Sequence, residues 1–288
     1  MNKRWTVERR WKDVDISGGV WEASTSEYGF KCSIKCLSRK GMLESSLMVS
    51  QEENCVYSLL VDVLFSINDI QHEVEQSLWD SDAEVFTLVD EFDKKCLASV
   101  QFSFRVVEML SPQNLTISTP YRTLKIKCED LSFFVDPGYL ASLGGMLFDR
   151  WKQLASKGET HVEITDMSRD ELICLLDAIC KYRQIIVHRK NYCDLLAIAA
   201  KYAISSVLRA VESFLIDVKW IHPIRKLEYA VVYRLARLGD AVVRSIVTSA
   251  QASDVLYDYL NLTGEPLEQM HPDVLTSLNI FPDHVIIY

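Results

Sequence analysis

Along the first third of the chain, apolar and mostly polar positions alternate with a period of two. Phe30, Cys32, Ile34 and Cys36 form one such run; Val61, Val63, Phe65 and Ile67 a second; Val100, Phe102, Phe104 and Val106 a third. Side chains of a strand point to opposite faces in turn, so each run buries one face and offers the other to water. Turn-rich pieces, Ser17-Gly18-Gly19 and Ser38-Arg39-Lys40-Gly41, lie between such runs. The pattern predicts an antiparallel β-sandwich over residues 1–110. A polar break, Ser111-Pro112-Gln113-Asn114, contains a residue that cannot donate to a strand ladder, and residues 111–118 are expected to link two domains.

Beyond the break the periodicity changes. Leu124, Ile126 and Cys128 alternate as a strand, Phe133 to Val135 can pair with it across Glu129-Asp130, and His161 to Ile164 supplies a third strand. Ser168-Arg169-Asp170-Glu171 spells a capping box, in which hydroxyl and carboxylate satisfy free backbone donors, and Leu172, Leu175, Leu176 and Ile179 follow at helical spacing. Further helices are expected over 191–202 and 205–216. The residues 119–217 therefore read as an α+β domain, followed by a small helical extension over 218–288. Within that extension Pro223 suits a first helical turn and Gly239 suits a helix end. Shorter helices are expected around Val242 to Val247, from Ser253, and after Pro272.

One stretch does not fit a simple amphipathic element. From Leu140 to Trp151 the pattern predicts a helix that is apolar on most sides yet carries Gly144-Gly145 in its middle. Such a helix needs two things to bury against.

Composition narrows the function classes. The 288 residues suffice for about two domains. With 31 Lys and Arg against 40 Asp and Glu the chain carries a net charge of -9, which phosphate backbones repel, so no nucleic-acid partner is expected. The first residues lack an apolar run, and no stretch approaches the ~18 apolar residues of a membrane span. A cytoplasmic or nuclear location without a membrane partner follows as an expectation. The eight cysteines (Cys32, Cys36, Cys55, Cys96, Cys128, Cys174, Cys180 and Cys193) then read as reduced, largely structural thiols, because no CxxC pair or His-rich spacing accompanies them. The six histidines, His72, His161, His188, His222, His271 and His284, are scattered, and no nucleophile, phosphate loop or metal ligand set assembles around them. No catalytic residue, metal or cofactor is expected. The aromatic residues Trp11, Trp21, Tyr28 and Trp79 are candidates for exposed contacts, set against packing in the sandwich.

With strand, strand, helix, strand, capped helix and helix pair in place, the residues from about 119 to 217 resemble a BTB (POZ) domain. The resemblance is carried by FFVDPGYLA at 133–141, GGMLFDRW at 144–151, VEITD at 162–166, LLAIAAKY at 195–202 and VESFL at 211–215, in the family's order and spacing. The N-terminal sandwich resembles a degenerate MATH (TRAF-like) domain. The resemblance implies a protein-interaction adaptor and not an enzyme. In that family the β domain captures a protein substrate, while the BTB domain docks on the third-class cullin of a RING ubiquitin ligase. It also implies a homodimer, with Leu115, Ile117, Tyr139 and Met146 as candidate interface residues. The implied cullin-facing residues are Leu154, Ala155, Ser156 and Lys157.

This chain departs from the family in two places. The charged pocket that BTB domains carry near the dimer interface falls on Thr123 and Pro137, and is missing. The Glu of the cullin-contact spelling is absent from both registers, Leu154-Ala155-Ser156 and Ala155-Ser156-Lys157. A dimerising scaffold or transcriptional co-regulator that does not bind cullin is the alternative these departures leave open.

Overall fold

The computed structural model describes residues 6–14, 20–39, 42–67, 70–80, 84–91, 98–246, 249–264 and 266–278. The expected turn at Ser17-Gly18-Gly19, the Lys40-Gly41 half of the second turn, Cys96 and His284 lie outside them. The chain divides into two compact units, one of residues 1–113 with 188–190, the other of residues 114–187 with 191–288.

In the first unit eight strands run in sequence: β1 (Thr6–Val14), β2 (Val20–Glu27), β3 (Phe30–Arg39), β4 (Met42–Gln51), β5 (Ser58–Ile67), β6 (Ile70–Trp79), β7 (Glu84–Glu91) and β8 (Ala98–Leu110). They form two four-stranded antiparallel sheets, ordered β1-β8-β5-β6 and β2-β3-β4-β7. The three alternating runs lie on β3, β5 and β8 and turn their apolar positions into one shared core. Trp79 is at its centre, 1% exposed, with ring centroids 4.8 Å from Phe104 and 5.8 Å from Phe30. It is therefore a core residue and not a surface contact. Trp11 and Trp21 meet edge to face at 5.7 Å and, like Tyr28, are half-buried against the same core. The β2–β3 hairpin turns on Tyr28 and Gly29, both at positive φ; a side chain at Gly29 would also strike Cys55 Sγ at 2.7 Å.

The second unit is α+β. Strands β9 (Leu124–Cys128) and β10 (Leu131–Val135) form an antiparallel hairpin, and β11 (His161–Glu163) joins β9 in parallel, giving the order β10-β9-β11. The helices are α1 (Pro137–Ser142), α2 (Met146–Ser156), α3 (Arg169–Ile179), α4 (Tyr192–Lys201), α5 (Ser205–Asp217), α6 (Pro223–Val232), α7 (Ala236–Ser245), α8 (Ser249–Thr263) and α9 (Pro272–Ser277). Ser168 and Glu171 close the expected capping box on α3, and Pro223 occupies the first turn of α6.

Two expectations are corrected here. The stretch from Leu140 to Trp151 is not one helix: α1 ends at Ser142, and α2 starts after Gly144 and Gly145, at φ 74° and 115°. Its apolar sides are thereby split between two helices, with Leu140, Leu147, Phe148 and Trp151 all buried in the unit's own core. Gly239 does not end a helix; it sits inside α7, facing Ala230 of α6 with room for an ordinary contact. The chain reverses earlier, at Tyr233 and Arg234, where Arg234 adopts φ 56°.

A single hydrophobic core runs from Leu115 to Leu278, so the extension and the residues before it are built on one interior. Leu115 is 5% exposed and its carbonyl accepts from Phe134 N at 2.7 Å, while Arg122 Nη1 donates to Asn114 O at 2.7 Å.

Candidate interaction surfaces

Chemistry first. Among the described residues no group of three His, Cys, Asp or Glu side chains could hold a metal ion. Burial pushes the Cys32, Cys174 and Cys180 thiols up to about 12, so these three remain protonated at neutral pH and are poor nucleophiles. No helix among the described residues is long and apolar enough to cross a membrane.

The four dimer candidates separate into two kinds. Leu115 belongs to the core, and Tyr139 is half-buried, its hydroxyl donating to Ile179 O at 2.9 Å. Burial pushes the Tyr139 phenol up to about 12. Ile117 and Met146, by contrast, are 57% and 72% exposed. Asp136 caps α1 by accepting from Gly138 N and Tyr139 N, and Pro137, at the position of the family's lysine, forms that helix's first residue. Thr123 lies exposed just before β9.

The cullin-facing candidates end α2. Leu154 and Ala155 are half-buried against the core, whereas Ser156 and Lys157 face solvent, with Lys157 as the C-cap. Gly158 follows at φ 89°, and Glu159 N returns to Leu154 O at 3.1 Å, closing the helix end.

Two further surfaces were not legible in the sequence. The outer face of the β2-β3-β4-β7 sheet carries Met48, Val85 and Val89, at 46%, 59% and 57% exposure, and Met48 stands opposite Val85 across the β4–β7 ladder. Small polar residues, Ser33, Ser46 and Thr87, lie beside them in register, and β7 is an edge strand. The signal available was an excess of apolar residues on the wrong phase of the alternation, Val85 and Val89 flanking an inward Phe86. The second surface is a groove of about 530 Å³ along α6, α7 and the end of α9, with Leu227, Val231, Leu235 and Val243 joined by Arg234 and Arg244.

The described residues form a sandwich of two four-stranded sheets, followed by an α+β unit with a short mixed sheet and a helical continuation. No family model matches the chain. It is 33% identical over 99 residues to BTB and MATH domain-containing protein 36 of Caenorhabditis elegans, a stretch that covers 34% of this chain and 31% of that relative. It is 29% identical over 149 residues to BTB and MATH domain-containing protein 38 of the same animal, covering 51% of this chain and 38% of the relative. The matched stretches thus span about a third of the length of these curated relatives. Together with the fold they support a protein of the MATH-BTB type.

Proposed function

We propose that the protein is an adaptor that captures another protein on its sandwich and presents it to a partner held by its α+β unit, as a substrate-recognition subunit of a third-class cullin RING ubiquitin ligase. The observation that carries the reading is the group of exposed apolar side chains Met48, Val85 and Val89 on the outer face of a sheet whose edge, among the described residues, is β7, in a chain similar to MATH-BTB proteins. Exposed apolar patches next to a free edge are suited to taking an extended segment. The mechanism is proximity: holding a substrate near the ligase raises its effective concentration there, and no bond is made or broken by this chain. Self-association is proposed through Ile117 and Met146 and would add avidity. The place of action on this reading is the cytoplasm or nucleus.

A second reading, a dimerising scaffold or transcriptional co-regulator without cullin, is favoured by one observation. The end of α2 offers Ser156 and Lys157 where the family carries Glu. Co-purification of a third-class cullin with the full chain distinguishes the two: recovery of the cullin supports the adaptor, and its absence at micromolar concentrations leaves the scaffold.

A further inference from the structure

The groove along α6 and α7 has a floor that is closed and a side that is open. Leu227, Ala230 and Leu235 are buried beneath it, whereas Val231 is half-buried and Val243 is 39% exposed. Ala236 and Val243, seven positions apart on α7, both line it, so it follows that helix for about 10 Å. Arg234, Asp240 and Arg244 stand along it and leave one positive charge in excess. Ser277, the last residue of α9, lines it too, so the chain leaves α9 at the groove itself.

Residues 279–288 lie outside the described ones, and their sequence suits that surface. Ile280 and Phe281 come within four positions of Ser277, Pro282-Asp283-His284 interrupts, and Val285-Ile286-Ile287-Tyr288 makes a second apolar run. Left uncovered, a β-branched apolar run of this kind is a surface on which chains associate. Six residues separate Leu278 from Val285, a reach of at most about 25 Å when extended, more than the length of the groove. We propose that residues 279–288 of the chain's own sequence occupy this groove, their two apolar runs lying over Val231 and Val243 and Asp283 turned to the arginines at its rim. A segment tethered by so short a link is present at an effective concentration of order mM, about a thousandfold above a second copy or another protein at micromolar concentration. The contact belongs to the second unit alone, and it holds whether or not the protein serves a cullin.

The test is amide hydrogen exchange on the full chain and three variants of it: Phe281→Asp with Ile286→Asp in the segment, Val243→Gln in the groove, and all three substitutions together. Either change alone is expected to speed exchange of the α6 and α7 amides about tenfold, with unchanged circular dichroism. The combination should do no more than either, because both remove one contact. Unchanged exchange in the segment variant would overturn the inference, since the groove is then empty or kept for another protein. Effects of segment and groove that add would overturn it as well. So would protection that appears only as the unaltered chain is concentrated from about 1 to 50 μM, which would give the groove to a second copy.

Discussion

The carboxylate of Glu212, on α5, accepts the backbone N–H of Leu238 in the first turn of α7 at 3.1 Å. Glu212 is 6% exposed, and its other oxygen stands 3.7 Å from Arg237 Nη1. A residue outside the extension therefore caps a helix inside it, satisfying a donor that a helix start leaves free.

Removing that carboxylate should loosen α7. Glu212→Ala is expected to cost about 2 to 3 kcal/mol and Glu212→Gln about 1 kcal/mol, the scale of losing a charged or a partial hydrogen bond at a buried site. Urea unfolding followed by tryptophan fluorescence measures both, and equal stability of all three proteins would contradict the capping role.

The break between α1 and α2 makes a second expectation. A side chain at Gly145 would meet Ile204 Cγ1 at 3.2 Å and its Cα at 3.3 Å, on a backbone at φ 115° that only glycine adopts without strain. Gly145→Ala should destabilise by about 2 to 4 kcal/mol, whereas Gly144→Ala, at φ 74° with nothing within 4 Å, should cost about 1 to 2 kcal/mol. Thermal unfolding of the pair gives the order.

His222 predicts a dependence on pH. Its Nδ1 accepts from Ile224 N at 3.2 Å as the cap of α6, and its ring lies 5.1 Å from that of Tyr259 on α8. Burial holds its imidazole below the ordinary value, with Asp258 pulling the other way. A histidine whose folded pKa is depressed contributes stability that is fully present above its unfolded value of about 6.5 and is lost as pH falls through that value toward the folded one. The melting temperature should drop between about pH 7.5 and 5.5, and drop less in His222→Asn, which keeps a capping oxygen without the titration. An identical slope in the two proteins would remove His222 as the cause.

The bonds around Asn114 and Leu115 refine where the chain is open to proteases. Ser111 and Pro112 are exposed, while Leu115 is buried and bonded to Phe134. Limited proteolysis is expected to cut first within about residues 110 to 113 and to spare 114 to 122. First cuts inside 195 to 215 would contradict the division of the chain.

Much of the architecture was legible because it is written locally. The runs on β3, β5 and β8, the Ser168-Glu171 box and Pro223 each depend on residues within a few positions of one another. What escaped was set from a distance or by residues without a preference. Ile204, nearly sixty positions away, is the neighbour that crowds Gly145. Arg234 turns the chain between α6 and α7 at a positive φ that arginine does not advertise. The same holds at the candidate surfaces. The end of α2 could be placed from its motif, but the bond from Tyr139 to Ile179, which draws that side chain into its own unit, joins positions forty residues apart. The outward Val85 and Val89 share a strand with the inward Phe86 and Leu88, so the period alone does not say which phase faces the core.

The parallel pairing of β11 with β9 sets a distant closure beside a local one. Leu131 pairs with Cys128 across only Glu129 and Asp130, with Glu129 at φ 51°, so the β9–β10 hairpin can close in microseconds from neighbours alone. His161, however, must come to Lys125 after the chain has run through α1 and α2 and returned in the same direction. That longer closure has a greater entropic cost before any contact repays it. The hairpin is therefore expected to form early in refolding and the third strand to pair with it later.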